Sequence, residues 1–294
     1  GVFALTVWIV SAQAQTLDIN SQGRIQFDSF TTSSMFDLAR ERRQNWTVQK
    51  IWGDLSLPPN THNKVPAIIL MHGSGGVAPH INQWVTAFNE IGVATFVVDS
   101  FGPRNIKSMV SDQKQLSNSS NLMYLFKALD FLSTHPLIDK NKIGIMGFSA
   151  GGHLASTAGT HFNKSYIPND ENISLRPDFM ILIYPVISMK EGLTHGGSRT
   201  NLLGKTPSEE QITLFSNELQ VNATTPPTWI THTGDDTVVP VENSIRFYQE
   251  LIRNKVPAEM HLYPAGNHGF VLKLPTDEWM QPLFGWMQKS GITK

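Results

Sequence analysis

The amino-acid sequence predicts an α/β fold: a mostly parallel central sheet flanked by helices on both faces. Three observations carry that expectation. Continuous apolar runs recur at residues 65–71, 93–98, 143–148 and 179–183, as expected of strands buried on both faces. Stripes of apolar residues at helical spacing stand between them, so strand and helix alternate along the chain. Several runs end in turns that hold Gly, Ser, Asp or His, the residue types of a chemical site.

Length and composition narrow the choice. The chain has 294 residues, 40% of them hydrophobic, enough for one large α/β domain with a sizeable core. A formal net charge of −1 leaves no basic face for nucleic acid and no acidic tail. There is no cysteine, so disulfides, a thiolate nucleophile and cysteine-based metal sites are excluded. No apolar stretch approaches the roughly 20 residues of a membrane span, and no His-x-x-x-His or His/Asp cluster argues for a metal. No metal, cofactor or nucleic-acid partner is expected; the sequence sets no oligomeric state.

Taken in order, residues 1–10 form a short apolar run followed by Ser11-Ala12-Gln13-Ala14-Gln15. Ala12-x-Ala14 is the pattern of a signal-peptidase site, so residues 1–14 read as a partial signal peptide and the location as secreted or periplasmic. Residues 37–43 suggest a short helix, and 46–57 an early antiparallel arm ending at Pro58-Pro59. Ile81, Trp84, Val85, Phe88 and Ile91 mark one helix face, stopped by Gly92. Leu122, Leu125, Phe126, Leu129 and Leu132 mark another. Residues 139–142 read as a turn before the next strand. From 188 to 227 buried-strand signals are few and polar residues many. This reads as a lid-like insertion, or a substrate wall, in a single domain over 15–294. Residues 228–232 form a strand, followed by a helix with Ile245, Tyr248, Leu251 and Ile252 inward. A last strand covers 259–263, and a C-terminal helix buries Trp279, Leu283, Trp286 and Met287.

The chemistry centres on Gly147-Phe148-Ser149-Ala150-Gly151-Gly152-His153. A strand, a glycine-flanked serine and a small-residue helix start form a nucleophile elbow. The sharp turn lifts the Ser149 hydroxyl clear of the sheet and leaves little room for neighbouring side chains. A serine hydroxyl needs a base within hydrogen-bond reach. His268, in a Gly-Asn-His-Gly-Phe loop after the last strand, can supply it, and an acid must hold its tautomer. Asp236, in Asp-x-x-Val-Pro, is favoured, with Asp235 as the alternative that would face solvent or brace the turn. The Ala150 N–H and one N–H of His72-Gly73-Ser74-Gly75-Gly76, that of Ser74 or else Gly75, form the expected oxyanion hole. Gly75, Arg104 and His153 are candidates for substrate binding. Arg104 could instead pair with Asp99 or another acid, and His153, like His72, could brace the backbone of the site. His232 belongs behind the site, His161 and His195 to loops or a lid, and His62, His80, His135 and His261 to the surface or the frame.

These residues carry a resemblance. From about Val48 onward the chain resembles the α/β-hydrolase superfamily. From Ile143 onward it looks like acetylxylan-esterase-like and feruloyl-esterase-like carbohydrate esterases, through the elbow, Arg176-Pro177-Asp178 to Ser188, Asp235 to Ser244, and Gly266-Asn267-His268-Gly269-Phe270. The resemblance implies a Ser149, Asp236, His268 triad acting on acylated plant polysaccharide or oligosaccharide. Residues 72–76 replace the usual His-Gly-Gly-Gly, and with Val97 to Arg104 they are similar to dienelactone-hydrolase-type proteins, which use a cysteine nucleophile that this chain lacks. The expected activity is a secreted serine carboxylesterase cleaving acetyl or feruloyl esters through an acyl-enzyme. A serine peptidase of prolyl-oligopeptidase type, or a binding module on the same fold, are the alternatives.

Overall fold

The computed structural model describes residues 16–31, 47–109, 118–164 and 172–294. The signal-like segment and the helix expected over 37–43 lie outside them. All eight strands of the described residues join one sheet: β1 (Gly23–Thr31), β2 (Thr47–Ser56), β3 (Val65–Met71), β4 (Ala94–Asp99), β5 (Ile138–Phe148), β6 (Met180–Ile183), β7 (Thr228–Thr233) and β8 (Ala258–Tyr263). Their order is β1-β2-β4-β3-β5-β6-β7-β8. The pairs β1–β2 and β2–β4 are antiparallel, and every pairing from β4 to β8 is parallel.

The apolar runs are continuous because alternate residues feed two cores. Ala67, Ile69, Ile145, Met180 and Leu182 enter one; Ile68, Leu70, Met146, Ile181 and Ile183 enter the other. Two helices, α1 (Ile81–Glu90) and α7 (Thr276–Lys289), cover the second core. There Trp84 meets Trp279 edge-on at 5.4 Å, and Phe88 meets Phe284 at 5.5 Å. The first core takes α2 (Asn118–Leu132), α3 (Ala150–His161) and α6 (Glu242–Arg253).

Two expectations are corrected, and one strand is added. Residues 139–142 are no turn: β5 already begins at Ile138 and pairs through a register irregularity opposite Val65/Ala67. In α6 the buried face holds Ser244, Phe247 and Leu251, at helical spacing, while Ile252 lies one step round and is 49% exposed. Strand β1 has no counterpart among the expected elements, although Ile25 and Phe27 alternate with the polar Arg24, Gln26 and Asp28 along it.

The 188–227 segment forms α4 (Gly196–Leu203), α5 (Glu209–Phe215) and a 3₁₀ turn at Asn217–Leu219. It is clamped to α3 through buried Asn217. The Asn217 amide donates to the His153 carbonyl and to Ser156 Oγ and Thr157 Oγ1, and its Oδ1 accepts from His161 Nε2. His161 is thus a buried helix residue, not part of a loop or lid. Burial lowers the pKa of His153 to about 4 and that of His161 to about 3, in spite of their hydrogen bonds to Phe215 and Asn217.

Both rings fold neutral and gain a proton more readily when unfolded, so stability is full above about pH 6.5 and declines as pH falls toward 4. The expected loss is roughly 1.4 kcal/mol per pH unit for each ring. Urea midpoints measured at pH 7 and pH 5 check this; equal midpoints would contradict it.

Candidate active site

Strand β5 hands the chain to α3 through Ser149, whose backbone is at φ 55°, ψ −117°. A non-glycine residue there is strained and persists only when its surroundings hold it. Those surroundings are specific. The Ser149 N–H donates to the Ile183 carbonyl at 3.0 Å, and the Ser149 carbonyl accepts from the N–H groups of Gly152, His153 and Val186. The glycines are steric necessities. A Cβ on Gly147 would stand 2.1 Å from the Gly151 oxygen, one on Gly151 2.5 Å from the Met71 oxygen, and one on Gly152 2.6 Å from Pro185 Cβ. Ala150 opens α3. Its N–H is therefore among those without an intrahelical acceptor, at the positive end of the helix.

The loop after β7 places Asp236, and the loop after β8 places His268. His268 Nε2 lies 2.9 Å from Ser149 Oγ, and His268 Nδ1 lies 2.8 Å from Asp236 Oδ2. Since a carboxylate only accepts, Nδ1 carries the proton and Nε2 offers its lone pair to the serine hydroxyl. Asp236 is fully enclosed, with a side-chain exposure of 0%. Its Oδ1 accepts from the N–H groups of Val238 and Val239, each at 2.9 Å, and its Oδ2 also accepts from His232 Nε2 at 3.1 Å. Burial alone would raise the Asp236 pKa; the bonds from His232, His268 and Val239 outweigh it and hold the carboxyl far below the usual range. Asp235 instead braces the histidine loop, accepting from the Asn267 N–H at 2.8 Å and from the Gly266 N–H at 3.2 Å.

A cavity of about 400 Å³ opens at Ser149 and His268. Gly73, Ser74, Gly75 and Gly76 form one wall. Its inner end is apolar and buried, with Leu70, Val97, Phe148 and Trp84, the last stacked on Phe148 at 5.1 Å. Its rim holds the more exposed Val238 and Leu272. Behind the glycine wall His72 Nδ1 donates to the Gly73 carbonyl at 2.7 Å, while Nε2 accepts from the Ser100 N–H at 3.2 Å. Both ring atoms are thereby committed, and burial lowers the pKa.

Ser149, Asp236, His268, Ser74, Ala150 and Gly75 thus gather at one rim of the sheet. Two substrate-binding expectations are corrected. Arg104 does not line the cavity; it donates to Tyr124 Oη of α2, at 3.0 Å from Nε. His153 does not reach it either, because its ring is buried under the 188–227 segment and its Nε2 donates to the Phe215 carbonyl at 2.9 Å. Sequence reasoning missed Tyr184, whose ring packs on that of His268 with centroids 4.6 Å apart. Its place directly after β6 was the available signal. The lining residues Val77, Trp84, Val238 and Leu272 gave no such signal. Among the described residues, no group of three or more His, Asp or Glu side chains could hold a metal ion, and no helix is long and apolar enough to cross a membrane.

Sheet order, elbow and histidine loop together define an α/β-hydrolase. A family model, BD-FAE, matches residues 54–251, and the chain belongs to that family. It is similar to the acetyl ester-xyloside bifunctional hydrolase of Caldicellulosiruptor lactoaceticus, with 34% identity and a TM-score of 0.69 over 82% of this chain and 89% of that one. That likeness puts the chain among relatives of carboxylic ester hydrolases. It is 29% identical over its whole length to the acetylxylan esterase of Xylanibacter ruminicola, and 44% identical over 151 residues, 51% of this chain, to endo-1,4-beta-xylanase B of Butyrivibrio fibrisolvens. The chain spans 54% of the length of that esterase and 23% of that xylanase.

Replacing Gly151 by Ala drives a methyl group into the Met71 and His72 carbonyls, neither of which can withdraw. Gly151→Ala is expected to lower stability by roughly 1–3 kcal/mol, read as a fall in melting temperature; an unchanged melt would show that the turn has room.

Proposed function

We propose that this chain is a secreted serine carboxylesterase that removes acetyl or feruloyl groups from plant polysaccharide or oligosaccharide. The observation that carries the reading is the unbroken relay from Ser149 Oγ through the two His268 nitrogens to Asp236, at 2.9 and 2.8 Å. The substrate class draws its support from the names of the relatives, and export from the apolar run closed by Ala12-x-Ala14.

In this reading Ser149 Oγ attacks the ester carbonyl as His268 Nε2 takes its proton. The carbonyl oxygen becomes an oxyanion held by the Ala150 N–H and a second amide, Ser74 or Gly75, beside the positive end of α3. The intermediate collapses to an acyl-serine, and His268 returns the proton to the departing alcohol oxygen. Water then enters, His268 takes one of its protons, and the acid is released as the Ser149 hydroxyl is restored. Asp236 stays ionised throughout and steadies the imidazolium. The acyl group points to the apolar inner end of the cavity, and the alcohol toward the rim.

Ser149→Ala is expected to lower kcat on p-nitrophenyl acetate by at least about 10³-fold. Retained turnover in a folded variant refutes the assignment. Rates on acetyl, butyryl and feruloyl esters, with acetylated xylan beside a peptide amide, separate the esterase from the peptidase reading.

A further inference from the structure

Building on that reading, we propose that His195 is a substrate-binding residue: its Nε2–H donates a hydrogen bond to an oxygen on the alcohol half of the ester, a sugar hydroxyl or ring oxygen. Nothing in the relay needs this side chain, yet the 188–227 segment brings its ring to the wall of the cavity that Ser149 and His268 share. The helix it begins fixes its chemistry. His195 caps α4 from an extended backbone, φ −82°, ψ 117°, and its Nδ1 accepts from the Ser198 N–H at 3.3 Å, with Ser198 Oγ at 2.8 Å. An Nδ1 that accepts a backbone N–H has its lone pair committed, so the ring proton sits on Nε2, the nitrogen turned away from the helix. Burial, followed by the nearby His268, lowers the His195 pKa against a smaller opposing effect of Asp236, which keeps the ring a neutral donor. With its lone pair bound to the cap, it cannot stand in as a second base.

The alcohol half follows from the position. His268 must reach the departing oxygen to protonate it, so the alcohol lies along His268, and His195 lines the same cavity. The acyl half points the other way, toward Trp84 and Phe148. A carbohydrate alcohol carries further acceptor oxygens beside its ester; a simple phenol carries none.

The experiment compares kcat/KM for a monoacetylated methyl xyloside and for phenyl acetate in the wild type, His195→Asn and His195→Ala, with melting temperatures for all three. Asn keeps an oxygen for the Ser198 N–H, so the cap survives while the donor falls short of the cavity. Both variants are expected to lower the xyloside-to-phenyl ratio about tenfold, and only Ala to lower the melting temperature. A ratio unchanged in the Asn variant overturns the proposal, as does a ratio that falls only in Ala together with its melting temperature. A wild type that cleaves phenyl acetate but not the xyloside overturns it while leaving ester hydrolysis standing. A wild type inert toward both esters removes the esterase reading itself, and this proposal with it.

Discussion

The carboxylate of Asp236 is the constraint on which the rest depends. It is wholly enclosed, and an ion shut away from water is tolerable only when its lone pairs are satisfied. Here they are met by two backbone amides on one oxygen and two imidazoles on the other. The amides come from its own loop, which curls into the turn that starts α6. One imidazole, His232, comes from β7 and is held from behind by Ser244 Oγ at 2.7 Å. The other, His268, comes from the loop after β8. The loop, the alignment of the two strands and the His268 tautomer thus depend on one another, because any of them out of place leaves the buried carboxylate short of a partner.

Ser149 adds the second demand. Its unusual backbone angles are stabilised not by its own side chain but by four main-chain hydrogen bonds and three absent Cβ atoms. Strain of this kind belongs where a reactive atom must stand in a fixed direction. The parallel sheet provides the platform: β5, β6, β7 and β8 are neighbours in that order. The ends of three of them deliver serine, carboxylate and imidazole to one edge, with Tyr184 after β6 filling the space between.

The central strands, the elbow and the three relay residues were legible in the sequence for local reasons. A strand buried on both faces must be apolar throughout, and a turn this tight admits only glycine two residues to either side of Ser149. The choice between Asp235 and Asp236 rested on spacing to Val239-Pro240, and the geometry gives the reason: Oδ1 of Asp236 binds the amides two and three residues on. What spacing does not record is which way a side chain leaves its helix or loop. His153 follows the elbow so closely that it invites a role in binding, yet the α3 helix turns it toward Phe215 and Asn217. Arg104 stands at the correct edge of the sheet but finds a partner, Tyr124, on a helix whose packing no local motif announces. His195 shows the reverse case: a loop position in the sequence becomes part of the cavity wall because Asn217 and Asn243, with their partners, seat the 188–227 segment.

The chain order of these parts has a consequence for biogenesis. Ser149 and His268 are separated by 119 residues, and His268 follows β8, the edge strand at one end of the described sheet. A polypeptide still emerging from the ribosome already holds the hydroxyl and the acid but has no proton acceptor between them. On the proposed mechanism the relay is therefore completed only when β8 pairs with β7, after the serine and the carboxylate are already present in the chain.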